Sequence, residues 1–269
     1  MTNRRTPLIP LIALTLITSF VLSASGARAQ DPSDATHQEE QQANQDHVVV
    51  GLGTGYFPAY EGANKYRVLP LPAIDVKWGP FFAGLADGVG FDILDTKFFT
   101  LGTSVVFVPG YRRGDVSAGI GELSTGAGAR VFSRVKLEGL IATIGATRTI
   151  AGATGGTTAD ASLSYPILVT PRLRFIPTIG TTWADAKYNN RYFGVDAQQS
   201  LASGLPQYEP GTGIKDATAT LTASYSLTEH LVLGVSGGAT KVLGNAKDSP
   251  LVVHKNAQPT GFVSLGYRF

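Results

Sequence analysis

The chain alternates between apolar and small polar residues over most of its length. From Thr157 to Tyr165 one phase holds Thr157, Ala159, Ala161, Leu163 and Tyr165, and the other Thr158, Asp160, Ser162 and Ser164. A period of two is the mark of a strand with one apolar face. The pattern returns from Asp216 to Leu227, where Ala217, Ala219, Leu221, Ala223, Tyr225 and Leu227 oppose Asp216, Thr218, Thr220, Thr222, Ser224 and Ser226. It returns again from Phe98 to Val108, with Phe99, Leu101, Val105 and Phe107 against Thr100, Gly102 and Ser104. On a soluble sandwich the polar phase would face water and carry many Lys and Glu. Here it is mostly Gly, Ser and Thr, punctuated by charges such as Arg130, Arg134, Arg172, Arg174 and Arg268. Small polar residues with a few charges suit a confined, hydrated lumen, with the apolar face turned to lipid. The fold class this predicts is all-β, a transmembrane antiparallel β-barrel.

Turn signals divide the alternating runs into about 12 strands, at 47–57, 66–77, 80–86, 87–95, 98–109, 124–134, 136–150, 156–168, 172–184, 215–227, 230–243 and 258–269. If residues 80–95 form one strand or a loop, the number falls to about 10, because single-chain bacterial barrels close with even counts. The connections differ in length. Gly79, Asp95-Thr96-Lys97, Val135, Val169-Thr170-Pro171 and Thr228-Glu229 read as tight turns, whereas 58–65, 110–123, 185–214 and 244–257 are long. Short periplasmic turns opposite long external loops are expected of an outer-membrane barrel. Aromatic residues favour the two membrane interfaces. Trp78, Phe98, Phe175, Tyr225 and Tyr267 fall at the short-turn ends, and Tyr56, Tyr66, Tyr111 and Trp183 at the long-loop ends.

The first residues break the pattern. Arg4 and Arg5, the apolar run from Leu8 to Leu22 and Ala27-Arg28-Ala29 compose a secretory signal with cleavage expected after Ala29. Residues 30–46 hold no large apolar side chain and are expected to form a disordered periplasmic tail. The domain reading is therefore signal 1–29, tail 30–46 and barrel 47–269. Formal charge on the whole chain is +2, from 22 basic and 20 acidic side chains. Loss of Arg4, Arg5 and Arg28 leaves 19 basic against 20 acidic, so nothing argues for a nucleic-acid partner. With 32 Gly, 15 Pro and 16% charged residues the composition is that of a Gly-rich β protein, and the absence of Cys excludes disulfides, thiolate metal sites and Cys nucleophiles.

Candidate chemistry is sparse. The four histidines are His37 in the tail, His47 at the first strand, His230 at a tight turn and His254 in the last long loop. Metal sites and catalytic triads need convergent groups, and only Asp248, Ser249 and His254 lie close together. Asp248-Ser249-Pro250 reads better as a turn, with Asp and Ser bonding local backbone and Pro fixing φ. Glu61, Asp185 and Asp248 are a conceivable acidic site on the external loops. Gly51-x-Gly53-x-Gly55 has the wrong spacing for a dinucleotide loop and sits inside a strand, where it would relieve crowding as strands curve or a lumen side chain approaches. No catalytic residue, cofactor or metal site is assigned. The inward phase shared by Arg130, Arg134, Arg172, Arg174, Asp160 and Glu138 predicts an ion-pair network that narrows the lumen.

The last strand places Val263, Leu265, Tyr267 and Phe269 on one phase. An aromatic-x-Phe ending on a lipid-facing phase resembles the signal by which the barrel-assembly machinery recognises bacterial outer-membrane proteins. Further segments carry a family resemblance: Gly53-Thr54-Gly55-Tyr56-Phe57-Pro58-Ala59-Tyr60-Glu61-Gly62, Pro70-Leu71-Pro72, Gly79-Pro80-Phe81-Phe82, Tyr192-Phe193-Gly194-Val195, Ser203-Gly204-Leu205-Pro206-Gln207-Tyr208, Gly244 through Val252 with Asp248, Ser249 and Pro250, and Gly266-Tyr267-Arg268-Phe269. In that order, from about His47 to Phe269, they resemble the MipA/OmpV family of Gram-negative outer-membrane proteins. The chain departs from the pattern at Asn245, Lys247 and the 110–123 loop. The resemblance implies a multi-pass protein in contact with outer-membrane lipid. It also implies a scaffold that joins a murein hydrolase, a lytic transglycosylase, to a murein synthase of the penicillin-binding class. A porin-like diffusion channel is the alternative it leaves open.

Overall fold

The computed structural model describes residues 46–254 and 256–269. The expected signal at 1–29, and the expected tail apart from Asp46, lie outside them. The chain forms strands β1 (His47–Pro58), β2 (Tyr66–Trp78), β3 (Phe81–Gly84), β4 (Gly88–Asp95), β5 (Phe99–Val108), β6 (Gly126–Leu137), β7 (Leu140–Ala151), β8 (Thr157–Ser164), β9 (Ile167–Thr170), β10 (Leu173–Ala184), β11 (Gly213–Ser226), β12 (Leu231–Val242) and β13 (Gln258–Arg268). Apart from β8 and β9, each strand pairs antiparallel with its sequence neighbours, β1 pairs with β13, and β10 pairs with β8, β9 and β11. The sheet therefore closes on itself and leaves no end strand. Strands β8 and β9 are one stave interrupted at Tyr165-Pro166, where proline offers no N–H to the ladder. Counted this way the barrel has 12 staves, and β3 and β4 form a short hairpin within the expected 80–95 region.

The facing follows the alternation. Leu52, Val68, Val105, Phe107, Val131, Ile144, Ile179, Leu221 and Leu265 are exposed on the outside. An apolar belt of this kind is stable only against lipid. The closing strand turns Val263, Leu265, Tyr267 and Phe269 outward, and the Phe269 N–H donates to the Val48 carbonyl at 3.0 Å. Trp78, Phe98, Tyr225 and Tyr267 are exposed beside the tight turns, and Tyr56 and Trp183 at the opposite end. Tyr111 is a correction to the expected girdle. It is buried in the external loops rather than set at the lipid interface.

Two turns are displaced from the sequence reading. The β6–β7 turn is Glu138-Gly139, not Val135, so alternation continues to Leu137. Both turn residues have positive φ, 46° and 82°, as a two-residue hairpin with right-handed strand twist requires. Glu138 is thus a turn residue exposed at the rim and is not in the lumen. The β9–β10 turn is Pro171-Arg172, which places Arg172 at the rim as well.

Candidate functional site

The long connections do not trail into solvent. The 185–212 segment forms helices α1 (Ala186–Phe193) and α2 (Ala197–Ser203). Asp185 caps α1 by accepting from the Tyr188 N–H at 2.8 Å and also accepts from the Thr157 N–H. Asp196 and Gln199 form a reciprocal capping box on α2, an arrangement that satisfies two otherwise unpaired donors. Both carboxylates are engaged by backbone, and Asp185 also stands 3.8 Å from the Arg148 guanidinium.

These helices pack with the other long loops into one hydrophobic cap. Its core contains Tyr60 and Ala63 from the β1–β2 loop, Tyr111, Ile120 and Leu123 from the β5–β6 loop, Tyr188, Tyr192, Phe193 and Val195 from the β10–β11 loop, and Ala246, Leu251 and Val252 from the β12–β13 loop. Tyr111 lies 5.6 Å from both the Tyr60 and Tyr192 rings. The β1–β2, β5–β6 and β10–β11 loops rise at intervals around the ring of strands, with the β12–β13 loop between the last and the first, so a core shared among them has to cross the mouth of the barrel. Hydrogen bonds fix it there. The Tyr60 hydroxyl donates to the Leu251 carbonyl at 2.8 Å, and the Tyr192 hydroxyl accepts from the Glu61 N–H at 3.2 Å. Gln258, fully buried, accepts from the Gly62 N–H and donates to the Ala63 carbonyl, each at 2.7 Å. Burial pushes the phenols of Tyr111 and Tyr188 up to about 12.

The external family residues meet in this cap. Tyr192 and Phe193 are core, and the Gly194 N–H closes α1 on the Asn190 carbonyl. Asp248 ends a short 3-10 turn, Gly244–Asp248. The buried Ser249 hydroxyl donates to the Phe193 carbonyl at 2.5 Å and accepts from the Leu251 N–H at 3.0 Å. Pro250 follows in the same turn. Ser249 is therefore engaged as a brace between two loops, while His254 offers its backbone N–H to the Gly62 carbonyl.

Under the cap sits a charge cluster that sequence spacing could not show. Lys215 Nζ lies 2.7 Å from Glu61 Oε2 and also bonds the Asp216 carboxylate. Glu61 and Asp216 each keep one carboxylate oxygen buried without a partner. Burial raises the Glu61 carboxyl to about 7, with Asp216 adding to the rise and Lys215 opposing it. Glu61 and Lys215 are 154 residues apart in sequence; Glu61 stands in the first family segment, but Lys215 stands in none.

Further down the lumen, Arg130 makes a two-pronged ion pair with Asp160, one arm at 2.7 Å. Arg134 stands 3.8 Å from Asp87 and packs over the Phe132 ring. Lys77 pairs with Asp92 and approaches Asp95, which is also met by Lys136. Arg174 is on β10 in the same phase as Thr178, whose hydroxyl meets that of Ser164 across the sheet. Of the expected set, then, Arg130, Asp160 and Arg134 are in the charged belt, Arg174 lies on the wall, and Arg172 and Glu138 are at the rim. Lys77, Asp92, Asp95 and Lys136 were missed because Lys136 lies past the expected turn and the other three lie in or beside the short β3–β4 region. Gly53 and Gly55 face the lumen under the Phe262 and Phe57 rings, where a Cβ would lie within 2.6 Å of ring carbons. Among the described residues no helix is long and apolar enough to cross a membrane, and no group of three His, Cys, Asp or Glu could hold a metal.

Residues 50–269 match the family model described as MltA-interacting protein MipA. The chain belongs to the MipA family. Among curated relatives, the outer membrane protein YiaT of Escherichia coli (strain K12) is 31% identical over 101 residues, covering 36% of this chain and 39% of that protein. The 24 kDa outer membrane protein of Pasteurella multocida (strain Pm70) is 25% identical over 240 residues, covering 84% and 91%. Among solved structures the chain is similar to the NanC porin, with TM-score 0.44 and 8% identity over 82% of this chain and 98% of that one. It is similar also to an outer membrane channel from Pseudomonas putida F1, with TM-score 0.44 and 10% identity over 83% and 94%. This MipA-family member is an outer-membrane β-barrel.

Proposed function

We propose that the protein acts without catalysis, as an anchor that holds peptidoglycan-remodelling enzymes, a lytic transglycosylase and a penicillin-binding synthase, at the inner face of the outer membrane. The observation that carries this reading is the cap. Four external loops share one buried core across the mouth, which disfavours an open axial pore and leaves the opposite rim as the face free to bind. That rim is made of tight turns carrying exposed Lys97, Glu138, Arg172 and Glu229. The family description, MltA-interacting protein, points the same way. Leu265, Tyr267 and Phe269, exposed on the closing strand, are the proposed contact for the barrel-assembly machinery.

The test is capture from crosslinked envelopes. The wild-type protein should recover a lytic transglycosylase and a murein synthase, and the rim pair Arg172→Glu with Glu229→Lys should reduce that recovery at least several-fold. Deleting residues 30–46 alone should leave it intact. No murein enzyme on wild-type bait, with steady single-channel conductance in a planar bilayer, would replace the scaffold reading by the diffusion-channel one.

A further inference from the structure

Strand β2 is paired with β1 from Tyr66 to Lys77, but β3 covers only its last stretch, Asp75 to Trp78. Among the described residues, no strand lies beside the other edge of β2 from Tyr66 to Ile74. On the far side of the opening, β4 begins only at Gly88, so the end of β5 beyond Val105 also runs past its neighbour. The tip of the β3–β4 hairpin, Leu85 to Asp87, forms the sill. The top is bridged by Arg67, 2.5 Å from Asp115, and by Lys65, whose Nζ donates to the Gly114 carbonyl at 2.9 Å. The result is a window in the wall. It lies between the stacked Tyr56 and Tyr66 rings, 4.6 Å apart, and the exposed Trp78, and therefore within the apolar belt.

The hydrogen-bond phase shows how that edge is tolerated. The Phe269 N–H to Val48 carbonyl bond sets the even positions of β1 toward β13 and the odd ones toward β2. Through the β1–β2 register, the even positions of β2 then aim their backbone groups at the window. Pro70 and Pro72 occupy two of them. Each removes an N–H that lipid could not satisfy, while the carbonyls remain. Irregular or unpaired backbone at membrane depth persists only where it lines a cavity or is covered by protein.

The chemistry inside the window differs from the rest of the lumen. Residues 68–74 of β2 are apolar on both phases: Val68, Pro70, Pro72 and Ile74 are exposed to the outside, and Leu69, Leu71 and Ala73 face inward only half-buried. Phe57, Phe262 and Val106, also half-buried, share that inward apolar surface, above the charged belt and below the cap. At the external end, Lys65, Arg67, Arg112 and Arg113 supply four cations against the single carboxylate of Asp115. The geometry points to a lateral portal that admits the acyl chain of an anionic amphiphile from the lipid into this apolar chamber, its headgroup held by Lys65, Arg112 and Arg113. The inference is independent of any partner at the opposite rim.

The whole barrel in detergent micelles is labelled with hexadecanoate carrying a mid-chain diazirine, with the matching hexadecanol, and with a phosphatidylglycerol bearing the same chain; crosslinks are mapped by peptide mass spectrometry. Adducts on the inward residues Phe57, Leu69, Leu71 and Phe262 are expected. Labelling by hexadecanoate but not phosphatidylglycerol assigns a free acid, and labelling by both a membrane lipid. Adducts confined to the outward Val68, Ile74, Val89 and Phe107 would mean annular contact only and overturn the portal. The triple variant Lys65→Glu, Arg112→Glu, Arg113→Glu should cut inward labelling by hexadecanoate at least five-fold and spare hexadecanol. Equal labelling by the two probes would overturn the headgroup site. Leu71→Trp, with retained unheated gel mobility showing an intact barrel, should abolish inward adducts; undiminished ones would also overturn the chamber.

Discussion

Arg130 and Asp160 stand on β6 and β8, with β7 between them, and their ion pair passes directly over Gly145. A Cβ on Gly145 would lie 2.3 Å from the Arg130 guanidinium. The missing side chain on the middle strand lets two charges on next-nearest strands meet in the lumen. Asp160→Asn keeps the shape but leaves the guanidinium without its counter-charge. A part-buried, charge-assisted pair of this kind is worth about 1–3 kcal/mol. The variant is expected to lower the temperature at which the barrel loses its compact gel mobility, whereas Glu138→Gln, at the rim, should leave it unchanged.

Glu61 makes the cap sensitive to pH. It faces Lys215 and Asp216 from β11 and the phenols of Tyr188 and Tyr192 from α1. Its folded pKa of about 7 is above its unfolded value, so the folded state holds a proton that the unfolded state has already lost. Stability from this group is therefore complete below the ordinary carboxylate pKa and falls as pH rises to about 7. External-loop proteolysis should accelerate as pH rises from the ordinary carboxylate value of 4.5 to about 7, the interval spanned by the two pKa values, and change no further above it. Glu61→Gln should flatten that dependence.

Ser249 and His254 separate a brace from a bystander. Ser249→Ala leaves the Phe193 carbonyl and Leu251 N–H buried and unpaired, a loss of about 1–3 kcal/mol to the cap, read as faster loop cleavage. His254→Ala should have no such effect. If both variants folded normally yet failed to complement a deletion strain, a hydrolytic role for the pair would replace the structural one.

Glu138 is the only non-glycine with positive φ among the described residues. Asn tolerates that region better than Glu, so Glu138→Asn should stabilise the hairpin by about 0.5 kcal/mol. An unchanged or lowered unfolding midpoint in urea would contradict the turn geometry.

The strands were legible because a barrel wall enforces one periodicity along each stave, and so Leu163, Leu221 and Leu265 declare their face without a partner in view. The turn at Glu138-Gly139 was misplaced by three residues, onto Val135, because the charges at Arg134, Lys136 and Glu138 fall on one phase and alternation alone does not mark which of them ends the strand. The cap was largely hidden. Its contacts join residues such as Tyr60 and Leu251, 191 positions apart, which no local pattern encodes. One local signal was available: Asp196 and Gln199, three apart, spell the capping box of α2 inside a segment read as loop. Tyr192 and Phe193 were singled out by family resemblance alone and Ser249 also as a turn residue, and only the folded chain shows that Ser249 bonds Phe193.

Gln258 opens the closing strand and grips Gly62 and Ala63, which follow the first, so the two ends of the sheet are stitched on either side of their seam. The loops it joins are distant in the chain, and such contacts become favourable only after the entropy of closing the intervening loop has been spent. The cap is then the last part to assemble and the first that must open. A barrel parted at β1 and β13 would have to tear out this buried amide before the ladder could unzip, which makes the external roof a lock on the seam.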